Sequence, residues 1–432
     1  MHTEDLYNIY LQHPSVVTDT RRLKKGDIFI ALKGPNFNGN HFLKDALQAG
    51  AAFVIMDEGD TLHDGRIIKV NNALQSLQDL AKHHREELKK RHNGEGIPFL
   101  AITGSNGKTT TKELVHQVLA TTYKTYATEG NLNNQIGVPL TLLRIQNDAE
   151  IAVIEMGANH TLEIESYCRY AMPTHGMITN IGKAHLEGFG SFEMIRKGKG
   201  ELFDYLKANN GIAIVNTDDN NIVEISRSLK NTFTYGSGKA EVTGIATIQN
   251  SFLQVEMTNG FSFPFVSTQL IGSYNLSNVL AAISVGKIFN VPENKIKSAI
   301  EFYSPENNRS QLVKKGSNTI ILDAYNANPS SMKAAIENFE SMPGSNKILM
   351  LGAMAELGGE SRLEHQKIIN LVDSFQWAHV ALVGKSFKKS NPSYKYFDTS
   401  SQLKDWFARQ QIENSMILIK GSRSMQMETV LD

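Results

Sequence analysis

Cysteine, charge imbalance and long apolar stretches are all scarce in this chain of 432 residues. Its one cysteine, Cys168, cannot form a disulfide within the chain, which fits a reducing compartment. Lysine plus arginine and aspartate plus glutamate each total 44, and a chain without basic excess lacks the composition of a dedicated nucleic-acid-binding protein. No stretch approaches the roughly 18 apolar residues of a membrane span. Residues 1–10 also lack the basic-then-apolar pattern of a signal peptide. We therefore expect a cytoplasmic protein that binds no nucleic acid and does not span a membrane.

The length predicts two or three domains, because single cores rarely grow beyond about 300 residues. Short apolar runs alternate with stretches of helix length along most of the chain, which favours parallel sheets covered by helices. Around residues 242–266 the rhythm changes to short alternating strands, and the Asn259-Gly260 pair is typical of a hairpin turn. We predict an α/β protein with three domains: an N-terminal domain over 1–95, a central domain over 96–307 with a mostly parallel sheet and a small antiparallel patch, and a Rossmann-like domain over 308–432.

The stretch AITGSNGKTTTKE, residues 101–113, looks like a phosphate-binding loop that is shortened at its start. The usual pattern is G-x-x-x-x-G-K-[ST]. Counting back from Gly107 puts the first glycine of that pattern at position 102, which holds Ile102, and a glycine follows only at Gly104. An apolar run precedes the loop and an amphipathic helical pattern follows it. Backbone N–H groups and the helix N-terminus would therefore point at an anion.

Two side chains of the loop suit a bound nucleotide. Lys108 would reach the outer phosphates, and the hydroxyl of Thr109 would bind Mg²⁺. The alternative is a glycine-rich turn that contains a lysine by chance, and the flanking strand and helix count against it.

Glu155 ends the apolar run 151–155 beside the loop, and Mg²⁺ prefers oxygen ligands of this kind. His185, taken alone, is better explained as an ordinary surface or core histidine.

Several motifs together resemble those of the Mur ligase superfamily, whose members are ATP-dependent ligases that form amide bonds. The loop GSNGKTT is of that type, and residues 128–143 (TEGNLNNQIGVPLTLL) resemble the segment that follows it. The strings DAYNANPSSM (323–332), LGAMAELGGES (351–361) and IKGSRSMQME (419–428) are similar to signatures of the branch that adds D-alanyl-D-alanine, the MurF type. Residues 16–42 resemble the UDP-sugar-binding domain of that branch. The resemblance covers essentially the whole chain.

The resemblance implies an ATP-dependent ligase that adds D-alanyl-D-alanine to a UDP-N-acetylmuramoyl-tripeptide and so makes the pentapeptide precursor of peptidoglycan. The tripeptide carboxylate would attack the γ-phosphate of ATP, and the amine of the dipeptide would then displace phosphate from the acyl phosphate. Three anionic groups must meet in such a site, so catalysis rests mainly on positioning and charge neutralisation. The implied cofactors are ATP and two Mg²⁺ ions, and a monomer is the default expectation.

The resemblance also assigns roles to individual residues. Catalytic roles fall on Lys108, Glu155, His185 and Lys199, with one Mg²⁺ held through Thr109 and Glu155 and a second through His185 and a carbamylated Lys199. Nucleotide contacts are expected from Gly104, Ser105, Asn106, Gly107, Lys108, Thr109 and Thr110, from Asn275 and Asn278 toward adenine, and from Arg309 and Asp323 as a clamp on phosphates and ribose. Substrate contacts are expected from Thr18, Asp19, Thr20 and Arg21 at the UDP end, from Asn133 and Asn134, and from Asn326, Asn328, Lys420 and Arg423 toward the dipeptide.

Four positions depart from the family pattern. They are Leu322 where a second acid is usual, Ala353 for an aspartate, Tyr274 for a histidine, and the position before Arg309, where a glycine is missing. None of them is a residue assigned to the chemistry. They bear on the contacts expected with the base and the ribose.

Other functions stay open from the sequence. A phosphate-loop phosphotransferase would need no third α/β domain carrying YNANP and KGSR. A non-catalytic protein on a ligase scaffold should have lost at least one of the four catalytic residues, and all four are present. Superfamily ligases that add one amino acid, or glutamates to folate, are the nearest alternatives, and DAYNANP argues against them. A solvated turn explains residues 18–21 nearly as well, and ordinary loop polarity is the alternative for the dipeptide contacts.

Overall fold

Three β-sheets covered by helices organise the structure, a computed structural model that describes residues 2–61, 63–90, 96–249, 251–305, 309–387 and 391–432. The sheets have four, nine and six strands, and two further short strands form a ribbon. Most neighbouring strands are parallel, and parallel neighbours need long connections, most of which are helices here. Strands buried on both faces need apolar residues at consecutive positions, which explains the continuous apolar runs of the sequence.

The first unit is the smallest of the three. In chain order it contains α1 (Thr3–Gln12), β1 (Val16–Val17), β2 (Ile28–Ile30), β3 (Lys33–Gly34), β4 (Phe37–Asn38), α2 (Leu43–Gln48), β5 (Phe53–Met56), β6 (Ile67–Lys69) and α3 (Ala73–Lys90). Its parallel sheet has the strand order β1-β2-β5-β6, and β3 pairs with β4 in the antiparallel ribbon. All three side chains of β2 are buried, as expected for a central strand.

The middle unit contains the nine-stranded sheet. Its elements are β7 (Phe99–Thr103), α4 (Lys108–Ala120), β8 (Thr125–Ala127), α5 (Gly137–Leu143), β9 (Ile151–Glu155), α6 (Glu163–Ala171), β10 (His175–Ile178), α7 (Leu186–Phe189), α8 (Phe192–Ala208), β11 (Ile212–Asn216), α9 (Asn220–Ser226), β12 (Thr232–Gly236), β13 (Val242–Gln249), β14 (Phe252–Asn259), β15 (Phe265–Ser267), α10 (Leu276–Ile288) and α11 (Glu293–Phe302). The strand order is β15-β14-β13-β12-β11-β10-β7-β9-β8. Strands β13 to β15 pair antiparallel at one edge, where the sequence predicts the antiparallel patch.

The third unit is a six-stranded sheet with helices. It contains β16 (Gln311–Lys315), β17 (Asn318–Asp323), α12 (Pro329–Ser341), β18 (Lys347–Gly352), α13 (Ser361–Asp373), β19 (His379–Val383), β20 (Lys395–Phe397), α14 (Ser400–Arg409) and β21 (Met416–Lys420). The strand order is β16-β17-β21-β18-β19-β20, with only β16 antiparallel among the described pairings. Short 3-10 helices lie at Thr20–Arg22, Gly39–Phe42, Ser273–Asn275, Gly358–Glu360, Arg423–Met425 and Met427–Leu431.

The predicted α/β class, with large and mostly parallel sheets in three units, is confirmed. The predicted domain limits, at 95/96 and at 307/308, fall on residues 91–95 and 306–308, which lie outside the described residues, so these limits stay a prediction. Among the helices of the described residues, none combines the length and the apolar character that crossing a membrane requires.

Helix α3 joins the first unit to the middle unit through a buried arginine. The Arg85 side chain is 1% exposed and lies 3.6 Å from the centre of the Phe99 ring in β7. Its guanidinium donates to the carbonyls of Ala171 and Met172 at the end of α6, over 3.1 and 3.2 Å. Helix C-terminal carbonyls carry partial negative charge, so they suit a buried cation. Burial lowers the pKa of Arg85 to about 10.

We expect Arg85→Ala to lower the free energy of unfolding by on the order of 3 kcal/mol, because it removes packing on Phe99 and leaves two helix-end carbonyls without donors. Scanning calorimetry on the full chain measures the effect as a fall in the unfolding temperature. Lys89→Ala is the matched control, since Lys89 lies on the exposed side of the same helix. Equal unfolding temperatures for the two variants would refute this role of Arg85.

Candidate functional site

The phosphate loop is shortened because β7 extends past the usual position of the first glycine. Ile102 is a fully buried strand residue, and the backbone turns only at Gly104, with φ at +141°. A side chain at Gly104 would collide with the Thr179 hydroxyl. At Gly107, where φ is +78°, a β-carbon would lie 2.5 Å from Asn278 Oδ1. Both glycines are therefore required by conformation and by space.

The tip of the loop is fixed by the segment that follows β10. The Asn106 N–H donates to Asn180 Oδ1 over 3.0 Å, and the Asn106 carbonyl accepts from Asn180 Nδ2 over 3.0 Å and from the Thr179 hydroxyl over 2.6 Å. The Ser105 hydroxyl exchanges bonds of 2.9 Å with the backbone of Gly182. These bonds join the tip of the loop to the segment that follows β10.

Lys108 is the first residue of α4 and folds back over the loop. Its Nζ donates to the Gly104 carbonyl over 2.8 Å and to the Ser105 carbonyl over 3.4 Å. Burial is the main cause that lowers the pKa of Lys108, and Glu155 works against the shift. The loop, its lysine and the N-terminus of α4 together form a cradle for an anion.

Glu155 lies at the end of β9 beside the loop, and its geometry fits a Mg²⁺ ligand. Its Oε1 accepts from Asn133 Nδ2 over 2.7 Å and from the Thr109 hydroxyl over 3.2 Å. Its Oε2 is buried and has no hydrogen-bond partner in the part of the chain that the structure describes. A buried carboxylate oxygen without a donor is suited to a cation. The described residues contain no group of three or more His, Cys, Asp or Glu side chains that could hold a metal ion, so water and phosphate oxygens would complete the shell.

His185 and Lys199, the two residues assigned to a second ion, differ in accessibility. His185 borders the cavity, and its Nδ1 lies 2.5 Å from Glu356 Oε2 of the third unit. Lys199 is fully buried in α8, and its Nζ donates to the Ala158 carbonyl over 3.0 Å. Burial and, second, the charge of Lys108 lower the pKa of Lys199 well below its usual value.

One cavity of about 850 Å³ collects most of the assigned residues from the middle and third units. From the middle unit it is bordered by Ser105, Asn106, Gly107, Lys108, Thr109, Thr110, Asn133, Asn134, Glu155, His185, Asn275 and Asn278. From the third unit it is bordered by Arg309, Asp323, Asn326, Asn328 and Lys420. The nucleotide cradle and the YNANP segment, residues 325–329, therefore face one another across one space.

The third-unit wall of the cavity is held by an ion pair between a buried lysine and a partly buried aspartate. Lys420, 2% exposed at the end of β21, donates to Asp323 Oδ2 over 2.6 Å and to the Asn326 carbonyl over 3.2 Å. Arg309 stacks on Tyr325, with its guanidinium carbon 3.6 Å from the ring centre. The ion pair and the stack fix the two charged groups that were assigned to the nucleotide clamp.

The two asparagines assigned to adenine belong to a hydrogen-bonded chain at the start of α10. Asn278 Nδ2 donates to Asn275 Oδ1 over 2.8 Å, and Asn275 Nδ2 donates to the Ile271 carbonyl over 2.8 Å. Tyr274, which departs from the family pattern, is partly buried and shares a 2.9 Å hydrogen bond with the Ser310 hydroxyl. These bonds fix the orientation of both amides at the cavity.

Some assigned residues lie away from the cavity. Arg423 is exposed and pairs with Glu428 over 2.7 Å. In the first unit Asp19 pairs with Arg21 over 2.7 Å at the surface. The residues assigned from the sequence that do not border the cavity are Thr18, Asp19, Thr20, Arg21, Gly104, Lys199 and Arg423.

Sequence reasoning missed the contacts that join the middle unit to the third. Asn328 Nδ2 donates to Asn106 Oδ1 over 2.7 Å, which links the N-cap of α12 to the phosphate loop. Lys183 Nζ donates to Glu364 Oε1 over 2.8 Å. Glu356 lies inside the motif LGAMAELGGES, and this motif was the only feature of the sequence that pointed to Glu356. Its partner is 171 residues earlier in the chain, and no local pattern indicates that pairing.

The phosphate loop of the middle unit opens into a cavity whose opposite wall belongs to the third unit. This arrangement defines a nucleotide-dependent enzyme built from several α/β units. The family model of the Mur ligase middle domain matches residues 102–286, and that of the Mur ligase glutamate ligase domain matches residues 308–423. The chain is 34% identical to the UDP-N-acetylmuramoyl-tripeptide–D-alanyl-D-alanine ligase of Bacillus subtilis, over 96% of this chain and 92% of that protein.

Solved structures give the same result. The crystal structure of MurF from Acinetobacter baumannii superposes with a TM-score of 0.86 and 29% identity, covering 96% of this chain and 92% of the other. MurF ligase from Thermotoga maritima in complex with ADP gives a TM-score of 0.84 and 26% identity, covering 98% and 97%. The chain therefore belongs to the Mur ligase family, and the relatives it matches over nearly its full length are of the MurF type. The family predicted from the sequence is confirmed.

We expect Gly107→Ala to abolish nucleotide binding, because the added methyl group needs an unfavourable backbone conformation and the space of the Asn278 amide. Titration with a fluorescent ATP analogue measures the effect. Gly130→Ala is the matched control. Its φ is also positive, at +55°, but a β-carbon there meets no atom within 4 Å. Unchanged affinity in Gly107→Ala, or equal loss in both variants, would contradict the loop geometry.

Proposed function

We propose that this protein joins D-alanyl-D-alanine to a UDP-N-acetylmuramoyl-tripeptide, coupled to cleavage of ATP into ADP and phosphate, and so forms the pentapeptide precursor of peptidoglycan. The observation that carries the proposal is the shared cavity, in which the phosphate loop faces the YNANP segment. The Bacillus subtilis relative is named for this reaction, which supports the same activity here.

The reaction needs two bond-forming steps, because a carboxylate oxygen is a poor leaving group. In the first step a carboxylate oxygen of the tripeptide attacks the γ-phosphorus of ATP, and ADP leaves. In the second step the amine of the dipeptide attacks the acyl carbon and loses a proton, and phosphate leaves with the former carboxylate oxygen. Closure of the cavity between the two units would exclude water that could otherwise hydrolyse the acyl phosphate.

The described residues supply positive charge where the phosphates would lie. Lys108 would leave the carbonyls of Gly104 and Ser105 and bind the β- and γ-phosphates, together with the loop N–H groups. Thr109 and Glu155 would hold one Mg²⁺, which when bound neutralises charge on the transferred phosphoryl group. His185 and a carbamylated Lys199 would hold a second.

The remaining contacts follow from the walls of the cavity. We assign the adenine to Asn275 and Asn278, the ribose and phosphates to Arg309 and Asp323, and the tripeptide end to Asn133 and Asn134. Asn326, Asn328 and Lys420 are assigned to the dipeptide. Arg423 was also assigned to the dipeptide. It pairs with Glu428 at the surface, so the structure gives no support to that assignment. Residues 18–21 on the first unit are assigned to the UDP end.

One chain provides every assigned group, so a monomer is sufficient for the proposed reaction. The reaction uses ATP and a nucleotide-linked precursor, which we place in the cytoplasm.

Phosphate release should require both substrates. We expect it to be slow with ATP alone and to rise on the order of 1,000-fold when UDP-N-acetylmuramoyl-tripeptide and D-alanyl-D-alanine are both present, because only the complete set fills the cavity and excludes water. A coupled phosphate assay with each substrate omitted in turn measures this. Equal rates with single D-alanine or with L-amino acids would show that the assignment is wrong.

Lys199 has the environment that carbamylation needs. The reaction with CO₂ requires the neutral amine, and burial favours that form by lowering the pKa of Lys199. A carbamate is an anion with oxygen ligands suited to Mg²⁺, whereas an ammonium would repel the ion. The carbonyl of Ala158, which borders the cavity, accepts from Nζ and places the amine directly behind that wall. We therefore propose carbamylation at this lysine.

We expect Lys199→Ala to lower kcat by on the order of 100-fold or more, because several kcal/mol of charge stabilisation by the metal would be lost. Short carboxylic acids added to Lys199→Ala should restore part of the rate by replacing the carbamate. Lys197→Ala is the matched control, since Lys197 is exposed on the same helix. Full activity of Lys199→Ala, or no bound CO₂ in mass spectra of the native protein, would count against the modification.

A further inference from the structure

Two residues with unusual backbone conformations meet across the boundary between the middle and third units. His185, at the start of α7, has φ at +55°, and Glu356, just before the 3-10 helix Gly358–Glu360, has φ at +60°. Neither is a glycine, so both conformations are strained. Strained residues persist where the surrounding structure holds them, and they concentrate at functional sites. Their side chains meet through His185 Nδ1 and Glu356 Oε2, 2.5 Å apart.

The main chain of Glu356 is anchored to the same turn as His185. The Glu187 N–H donates to the Glu356 carbonyl over 3.1 Å. Gly358, two residues later, lies against the same turn, and a β-carbon there would be in ordinary van der Waals contact with the Glu187 Cα at 3.4 Å. The carboxylate is therefore brought to His185 by a fixed backbone and does not depend on a flexible side chain alone.

The contact engages one particular nitrogen of the ring. Glu356 lies at Nδ1, so Nε2 is the nitrogen left for a ligand in the cavity that His185 borders. Histidines that bind metals are commonly held at their other nitrogen by a carboxylate, which fixes the orientation of the ring. The carboxylate oxygen lies 2.5 Å from Nδ1, so its effect is on the position of the ring.

We propose that Glu356 is a positioning residue that holds the His185 imidazole toward the cavity, so that docking of the third unit completes the metal side of the site. The expected effect of Glu356 on the reaction rate rests on the proposed function. The His185–Glu356 geometry does not depend on which substrates bind. The carboxylate of Glu356 in the third unit then sets the orientation of the His185 ring in the middle unit.

Other contacts keep the third unit docked when Glu356 is changed. The Asn106–Asn328 bond of 2.7 Å and the Lys183–Glu364 pair of 2.8 Å do not involve Glu356. Glu356→Gln preserves the shape of the side chain and the main-chain bond to Glu187, and removes only the charge. Glu360→Gln is the matched control, because Glu360 is exposed in the same segment and does not border the cavity.

The first measurement is steady-state kinetics over a range of Mg²⁺ concentrations. We expect Glu356→Gln and Glu356→Ala to lower kcat by about 10- to 100-fold and to raise the Mg²⁺ concentration needed for half-maximal rate. The KM for D-alanyl-D-alanine should stay within about threefold, because the change does not remove a dipeptide contact. Glu356→Asp should restore part of kcat. Wild-type kcat and Mg²⁺ dependence in Glu356→Gln would overturn the proposal.

The second measurement needs no turnover. In full-length protein with ¹⁵N-labelled histidine, the imidazole resonances of His185, assigned by their loss in His185→Gln, report the environment of each ring nitrogen. We expect them to shift in Glu356→Gln and Glu356→Ala and to stay in place in Glu360→Gln. Unshifted resonances in both Glu356 variants would overturn the positioning role. Shifted resonances in a protein without ligase activity would instead support the geometry and refute the proposed function.

Discussion

The bonds between Asn106 and the segment after β10 are the constraint on which the rest of the site depends. They fix the tip of the phosphate loop, because the main chain of Asn106 bonds to the side chains of Thr179 and Asn180. The side-chain oxygen of the same asparagine accepts from Asn328 Nδ2 of the third unit. The shape of the anion cradle and the position of the opposite wall are therefore set at one residue.

This arrangement explains how the nucleotide cradle and the wall assigned to the dipeptide can belong to different units. Each wall is held by contacts of its own. The loop is held by the segment that follows β10, and the third-unit wall by the partly buried Lys420–Asp323 pair. A buried ion pair adds little net stability, because its desolvation offsets the attraction, but it fixes the positions of both groups. The two walls meet through contacts that include the Asn106–Asn328 bond and the Lys183–Glu364 pair.

Much of the site could be predicted from the sequence, because the relevant signals are local. Gly104, Gly107 and Lys108 lie within five residues, and conformation alone demands the glycines. The class of the fold followed from apolar runs at strand and helix spacing. The contacts of Arg85 and Glu356 could not be predicted, because their partners lie far away in the chain. No local pattern indicates that Arg85 meets the carbonyl of Ala171 or that Glu356 meets the imidazole of His185. Lys199 was assigned by resemblance, and its complete burial became visible only in the folded chain.

The central claim is that one cavity brings the tripeptide carboxylate to the γ-phosphate and forms an acyl phosphate there. Isotope transfer tests it most directly. UDP-N-acetylmuramoyl-tripeptide carrying ¹⁸O in its terminal carboxylate is converted with ATP and D-alanyl-D-alanine, and the released phosphate is examined by mass spectrometry. The account predicts that each phosphate released carries one oxygen from the carboxylate. Phosphate that contains only oxygen from ATP or water, alongside pentapeptide product, would contradict it.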